Sequence, residues 1–191
     1  MTGHSEGGAG GSSLPSQQQA SQQQALEPTA LAHVRYLSLS QIPQCADSLA
    51  QAHHAQWSAL MLDWSLPEAQ RELREHAQSQ PFPCTWVALP SGQTGADDWL
   101  GSVSLVASDA RQFEPLGPWL CSLYVRPERR GQGIGKQLIE LAMAIAHTLG
   151  FKQLYVFTEH AGGLFSGCGF VPLRSDQLFG VPVSIMRWQR K

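Results

Sequence analysis

Residues 119–149 read WLCSLYV, then RPERRGQGIGK, then QLIELAMAIAHTL: an apolar run, a basic glycine-rich turn and an amphipathic stripe. The run up to Val125 is apolar enough to lie inside a sheet, and Pro127, with no N–H to donate, ends its ladder. Gly131, Gly133 and Gly135 stand at alternate positions, so the backbone there can bend tightly and approach a ligand with no Cβ in the way. Leu138, Leu141, Ala142, Ile145 and Leu149 then form one helical stripe able to cover a sheet. Such a helix starts at the turn, and its first unpaired N–H groups and the positive end of its dipole point at whatever the turn holds. Arg126, Arg129, Arg130 and Lys136 surround the turn with only Glu128 against them. A phosphate is the natural occupant.

Two glycine motifs are excluded. A dinucleotide fingerprint counted from Gly131 needs a glycine where Lys136 stands, and a nucleotidase phosphate loop needs Ser or Thr where Gln137 stands and glycine where Arg130 stands. The pattern present is Arg-x-x-Gly-x-Gly, as Arg130, Gly133 and Gly135, directly after a strand and opening a helix. It resembles the acyl-CoA pyrophosphate loop of the GNAT N-acetyltransferase superfamily. Cys168-Gly169-Phe170 is similar to that family's x-Gly-Phe before its final strand.

Outward from this stretch the chain divides in two. Residues 1–30 are rich in Gly, Ser and Gln, with QQQ at 17–19 and 22–24, and cannot bury enough apolar surface to offset ordering, so a disordered tail is expected. It has no basic segment followed by an apolar run, and no later stretch approaches a membrane span; a cytoplasmic protein without membrane contact is expected. Residues 31–191 suit one domain with one core. The net charge of −2 argues against a nucleic-acid binder. Four cysteines, Cys45, Cys84, Cys121 and Cys168, form no CxxC pair, so no metal site and no disulfide framework are expected.

The periodicity predicts a strand over 33–39, a helix from Cys45 to about Asp63, and a second helix capped by Ser65 with Pro67 in its first turn and Glu68 completing a capping box. Strands follow over 85–89 and 99–107 as a hairpin. A loop from Ser108 to Pro118 leads to the central strand, Gly150 ends the central helix, and 153–158 is a strand parallel to the central one across a right-handed crossover. A short helix lies within 161–167, and 181–188 is the last strand. The predicted order is β-α-α-β-β-β-α-β-α-β. The strand Val181 to Trp188, with Trp99 and Trp119, would serve a homodimer contact or the core equally well.

The GNAT resemblance implies an α/β single-domain acyl-CoA N-acyltransferase fold: a mixed, mostly antiparallel central sheet with splayed parallel strands and helices on both faces. It implies acetyl-CoA as co-substrate, its pantetheine arm pairing with Leu123, Tyr124 and Val125 and its pyrophosphate cradled by Gly131, Gln132, Gly133, Ile134, Gly135 and Lys136, with Arg130 supporting the turn. The activity implied is transfer of an acetyl group to a primary amine, a small molecule being favoured as acceptor, by direct attack. A protein N-terminus or lysine as acceptor, or a non-catalytic acyl-CoA-binding module, are the alternatives.

The catalytic groups depart from the family pattern. Phe165 stands where many members carry a proton-donating Tyr, and Phe157 stands where some carry a Glu base. Glu159 and His160, at the end of the strand after the central helix, are the candidate bases, with Asp109 and Glu114 in the loop before the central strand behind them. His53 or His54, with Trp57 on the first helix and with Asp109, is expected to line the acceptor pocket.

Overall fold

A computed structural model of the chain describes residues 33–79, 81–159 and 163–190. The tail expected over 1–30 and the candidate base His160 lie outside the described residues. In chain order the elements are β1 (Val34–Ser38), α1 (Ala46–Trp57), α2 (Leu66–Gln78), β2 (Cys84–Pro90), β3 (Gly101–Val106), β4 (Trp119–Val125), α3 (Ile134–Thr148), β5 (Gln153–Thr158), α4 (Gly163–Gly167), β6 (Val171–Leu178) and β7 (Val181–Gln189). The strands form one sheet in the order β1-β2-β3-β4-β5-β7-β6. Every neighbouring pair is antiparallel except β4 and β5, which are parallel across the α3 crossover.

Side-chain alternation along the strands sends successive residues to opposite faces, and each face is covered by helix. On one face α3 lays Leu138, Ile139, Ala142 and Ala146 onto Ala88, Val103, Leu105, Leu120, Leu154 and Met186. On the other, α1 and α2 bury Leu49, Ala50, Ala69 and Leu73 against Val87, Leu89 and Trp99. A third cluster joins Phe113, Trp119, Tyr155, Leu178 and Ile185 on the same face as α1 and α2, beyond β4.

Local signals explain most boundaries. Ser65 and Glu68 form the reciprocal capping box that starts α2, with Pro67 in its first turn. Gly150 takes φ +83 just after α3, and the Phe151 N–H bonds the Ala146 carbonyl at 3.0 Å, closing the helix end.

Three expectations are corrected. The helix expected to reach Asp63 stops at Trp57. Leu60 continues the helical spacing, but it is drawn into the cluster with Phe113 and Leu178, so packing with distant residues overrides the local period. A seventh strand, β6, follows Phe170. It escaped the sequence pattern because it is an edge strand with both faces largely exposed, its polar residues and Pro172 tolerable only there. It turns into β7 through Phe179 and Gly180, both at positive φ, the geometry of a two-residue hairpin. Finally, of the two roles left open for Trp99 and Trp119, a dimer contact gives way to the core, at 3% and 0% exposed, and β7 lies inside the sheet between β5 and β6.

Candidate active site

The centre of the molecule is a fault in the sheet. Ser102 pairs with Tyr124 and Ser104 with Cys121, so Val103 of β3 faces two residues of β4, Ser122 and Leu123. This is a β-bulge, and Ser122 accommodates it at φ +50. On its other side β4 meets β5 only at Trp119 and Tyr155, beyond which the two strands separate. The Arg126 N–H donates to the Leu100 carbonyl at 2.9 Å, and two-residue alternation from there turns the Val125 and Leu123 backbone toward the gap, away from β3. Unpaired backbone of this kind accepts an extended ligand as if it were a strand.

One cavity, of about 490 Å³, runs along this gap to the glycine turn, lined by Leu123, Tyr124, Val125, Arg129, Arg130, Gly131, Gly133, Ile134, Gly135 and Lys136. Gly131 and Gly133 take φ +74 and +83, and Gly133 is the N-cap of α3. No side chain caps that end, so the helix's leading N–H groups face the cavity. Arg130 Nε donates to the Val125 carbonyl at 3.0 Å, tying the turn to the end of β4. Arg126 does not join the cations of this site: it stacks over Trp99 at 3.9 Å and donates to the Trp99 and Asp97 carbonyls. The Gln132 side chain is turned back toward the Glu128 carbonyl and does not line the cavity. Backbone donors, positive dipole, three cations and glycines that leave room together fit a diphosphate, and the gap above them fits an extended arm.

A second cavity, of about 600 Å³, continues from the first across Gln56, Trp57 and Leu123, which line both. Its walls are contributed by α1 and α2, by Leu60, Met61 and Trp64 between them, by Phe82 and Pro83, by the segment after β3, by the bulge of β4 and by the end of β5. Asp109 lies here beside Cys121, and Glu72 of α2 is held by the Trp64 indole N–H at 3.0 Å. Burial raises the Asp109 carboxyl to about 7, with the negative Glu72 adding to the rise and the Cys121 thiol, which hydrogen-bonds to it, opposing it. Burial also raises Glu72 and pushes the Cys121 thiol well above its usual range, so the thiol is held protonated.

Two buried histidines form part of the same lining. His53 Nε2 is 2.8 Å from Ser102 Oγ, and His76 Nδ1 is 2.8 Å from Thr85 Oγ1, which in turn meets Ser104 Oγ at 2.7 Å. Burial lowers His53 to about 3 and His76 to about 4, so both rings are neutral at physiological pH.

Of the residues predicted for the acceptor side, Trp57, Asp109 and Glu159 line this cavity, Glu159 as an exposed residue at its edge. His54 lines neither cavity; its ring lies 5.9 Å from that of Trp64, and the neighbouring His53 faces inward instead. Glu114 is also outside the lining, near Ser108 Oγ. Phe165 lines the cavity with its ring against Phe170, and it has no proton to give. Glu72 was missed by sequence reasoning. Its signal was a carboxylate on the stripe Ala69, Leu73 and His76, the buried face of an otherwise charged helix. Among the described residues no group of three His, Cys, Asp or Glu side chains is placed to hold a metal ion.

A family model described as the acetyltransferase (GNAT) family matches residues 47–170 of this chain. No curated protein sequence matches it. Among solved structures, an acetyltransferase from Streptococcus agalactiae is similar with a TM-score of 0.59 and 16% identity, over 83% of this chain and 99% of that one. Aminoglycoside 6'-acetyltransferase type Ii is similar with a TM-score of 0.57 and 16% identity, over 82% and 96%. The NatC complex bound to Gag peptide and CoA contains a chain similar with a TM-score of 0.50 and 15% identity, over 83% and 99%. At these identities the likeness is one of fold.

Proposed function

The chain belongs to the GNAT acetyltransferase family and is an acyltransferase, and from that premise we propose that it transfers an acetyl group from acetyl-CoA to a primary amine of a small molecule, by direct attack in a ternary complex, with Asp109 as general base. The observation that carries this reading is the pair of joined cavities meeting at Leu123, one built for a diphosphate and an extended arm, the other holding a carboxyl raised to about 7.

When bound, acetyl-CoA supplies an acyl carbonyl whose C–S bond breaks as the amine's C–N bond forms, the CoA thiol leaving. Backbone of Leu123 and Val125 receives the pantetheine arm, the Tyr124 backbone being turned to Ser102 of β3 instead, and Gly131, Gly133, Ile134, Gly135 and Lys136, with Arg129 and Arg130, receive the diphosphate. Gln132 contributes through its backbone, since its side chain faces away. The Leu123 N–H, on the open side of the bulge, donates to the carbonyl oxygen as its charge grows. Asp109 takes the proton that the amine must lose; a carboxyl titrating near neutrality is matched to that task. With Phe165 in place of a hydroxyl donor, the leaving thiolate takes its proton from water, which its acidity permits. Cys121 is not a nucleophile in this scheme, because its thiol stays protonated.

Glu159 and His160, the bases expected from the sequence, are set behind Asp109. Glu159 is exposed at the cavity edge, where water competes with it for the amine.

The test is calorimetric titration with acetyl-CoA and with desulfo-CoA, on wild type and Gly133→Asp, followed by a thiol-release assay over a mixed amine panel. Binding that disappears in the variant, with amine-dependent thiol release by the wild type, supports the reading. A folded wild type that binds neither ligand refutes it, and binding without release across the panel makes the protein an acyl-CoA-binding module.

A further inference from the structure

We infer that the acceptor is a compact primary amine carried on an apolar, ring-bearing body without a carboxylate of its own, its ammonium group received between Glu72 and Asp109; this rests on the acetyl-transfer reading above. Three independent features of the second cavity carry it.

The first is the wall. Trp57, Trp64, Phe82, Phe157 and Phe165 line the space between α2 and the splayed strands. Rings of this kind stabilise a flat apolar group more than a polyhydroxylated one.

The second is charge. Glu72, Asp109 and Glu159 are the charged side chains of the lining, no Lys or Arg of the described residues lines it, and the two histidines are neutral. An ammonium entering this space meets carboxylates only, and the Trp64 indole N–H holds Glu72 in position for it. A substrate carboxylate would find no cation to pair with and would be repelled by Glu72. An α-amino acid is therefore rejected where the corresponding decarboxylated amine is accepted.

The third is closure. Leu60 belongs to one buried cluster with Phe113 and Leu178, so the connection between α1 and α2 shares a core with the segment before β4 and the β6–β7 hairpin. The Gln112 side-chain amide donates to the Gln177 carbonyl and ties those two together. A peptide needs about 3.3 Å of open groove for each extended residue, and Leu60, fixed in this cluster, is part of the cavity wall and narrows the space left for one. A volume of about 600 Å³ holds a small molecule of one or two rings.

The experiment is calorimetric titration of the full chain, saturated with desulfo-CoA, with phenethylamine, phenylalanine, glucosamine and an unacetylated tetrapeptide. Phenethylamine is expected to bind at least about tenfold more tightly than the other three, and Glu72→Gln to weaken it about tenfold while leaving desulfo-CoA binding unchanged. In turnover, Glu72→Gln raises KM with little change in kcat, whereas Asp109→Asn lowers kcat. Equal or tighter binding of phenylalanine, glucosamine or the peptide overturns the inference, as does a Glu72→Gln protein that binds phenethylamine like wild type. Tight phenethylamine binding without thiol release keeps the pocket assignment and refutes the enzyme reading. Turnover of other amines without phenethylamine binding does the reverse.

Discussion

Replacing Asp109 by Asn separates chemistry from stability within one variant. The carboxyl rises from an ordinary 3.8 to about 7 because it sits desolvated near Glu72. A group whose folded value lies above its unfolded value holds its proton longer in the native state, so native stability falls as pH rises from about 3.8 to about 7 and stays at the lower level above that. About 3 pKa units at 1.36 kcal/mol each set a ceiling of about 4 kcal/mol. Relaxation and water entry at a loop position reduce this to about 1–2 kcal/mol. Asparagine cannot ionise and escapes the penalty, so Asp109→Asn should melt about 2–8 °C higher than wild type at about pH 8.5, by about a third of that at about pH 5, and no higher at about pH 3. The same variant should lose about 10²–10⁴-fold in kcat, and wild-type kcat should rise with pH through about 7. Thermal melting at the three pH values and a pH–rate profile provide the measurement. A variant with wild-type kcat and profile, or a Tm difference that does not depend on pH, would refute the placement of a desolvated base at this position.

Gly133→Asp should abolish acetyl-CoA binding, since it places a carboxylate in the diphosphate cradle at a residue with φ +83. Gly135→Ala should bind within about threefold of wild type, because a Cβ there meets Val125 and Leu164 at an ordinary 3.6 Å. Cys121→Ala should retain turnover, its pH midpoint moved upward by loss of the thiol's hydrogen bond to Asp109; abolished activity in a folded variant would instead favour a covalent route. His53 is lowered to about 3, so its neutral-form stability is complete above its unfolded value of 6.5 and is lost as pH falls below that. Denaturant titrations of His53→Gln should therefore show an acid loss shallower than wild type by about 1.4 kcal/mol per pH unit between about pH 6.5 and 4. Leu138→Ala should cost about 2–5 kcal/mol with the ligand sites intact in the remaining folded protein, as it removes a fully buried contact between α3 and the sheet.

The parts legible in the sequence were those that local physics dictates. Residues 119–149 require a strand, a tight turn and a helix in that order, and a turn of glycines and cations at a helix start favours an anion whatever surrounds it. The capping box at Ser65 and Glu68, and the β-period of 85–89 and 119–125, depend on neighbours a few residues away. The edge strand β6 was not legible because its exposed faces impose no apolar alternation, and the end of α1 was not because Leu60 is captured by Phe113 and Leu178.

The acceptor side lay beyond the sequence for a related reason. Asp109, Glu72 and Glu159 are three carboxylates that their local sequence does not tell apart, and only their burial distinguishes them. That burial comes from α2, the 108–118 segment and β5 meeting at the bulge of β4, segments separated by tens of residues. Likewise His53 and His54 are adjacent, and the helix's rotation against the sheet alone decides that His53 faces the cavity while His54 turns to Trp64. The sequence alone determined the turn of glycines and cations at the start of α3, since backbone conformation and charge are encoded locally; the tertiary structure decided which carboxyls are buried beside the bulge of β4, since desolvation is a property of the space between elements.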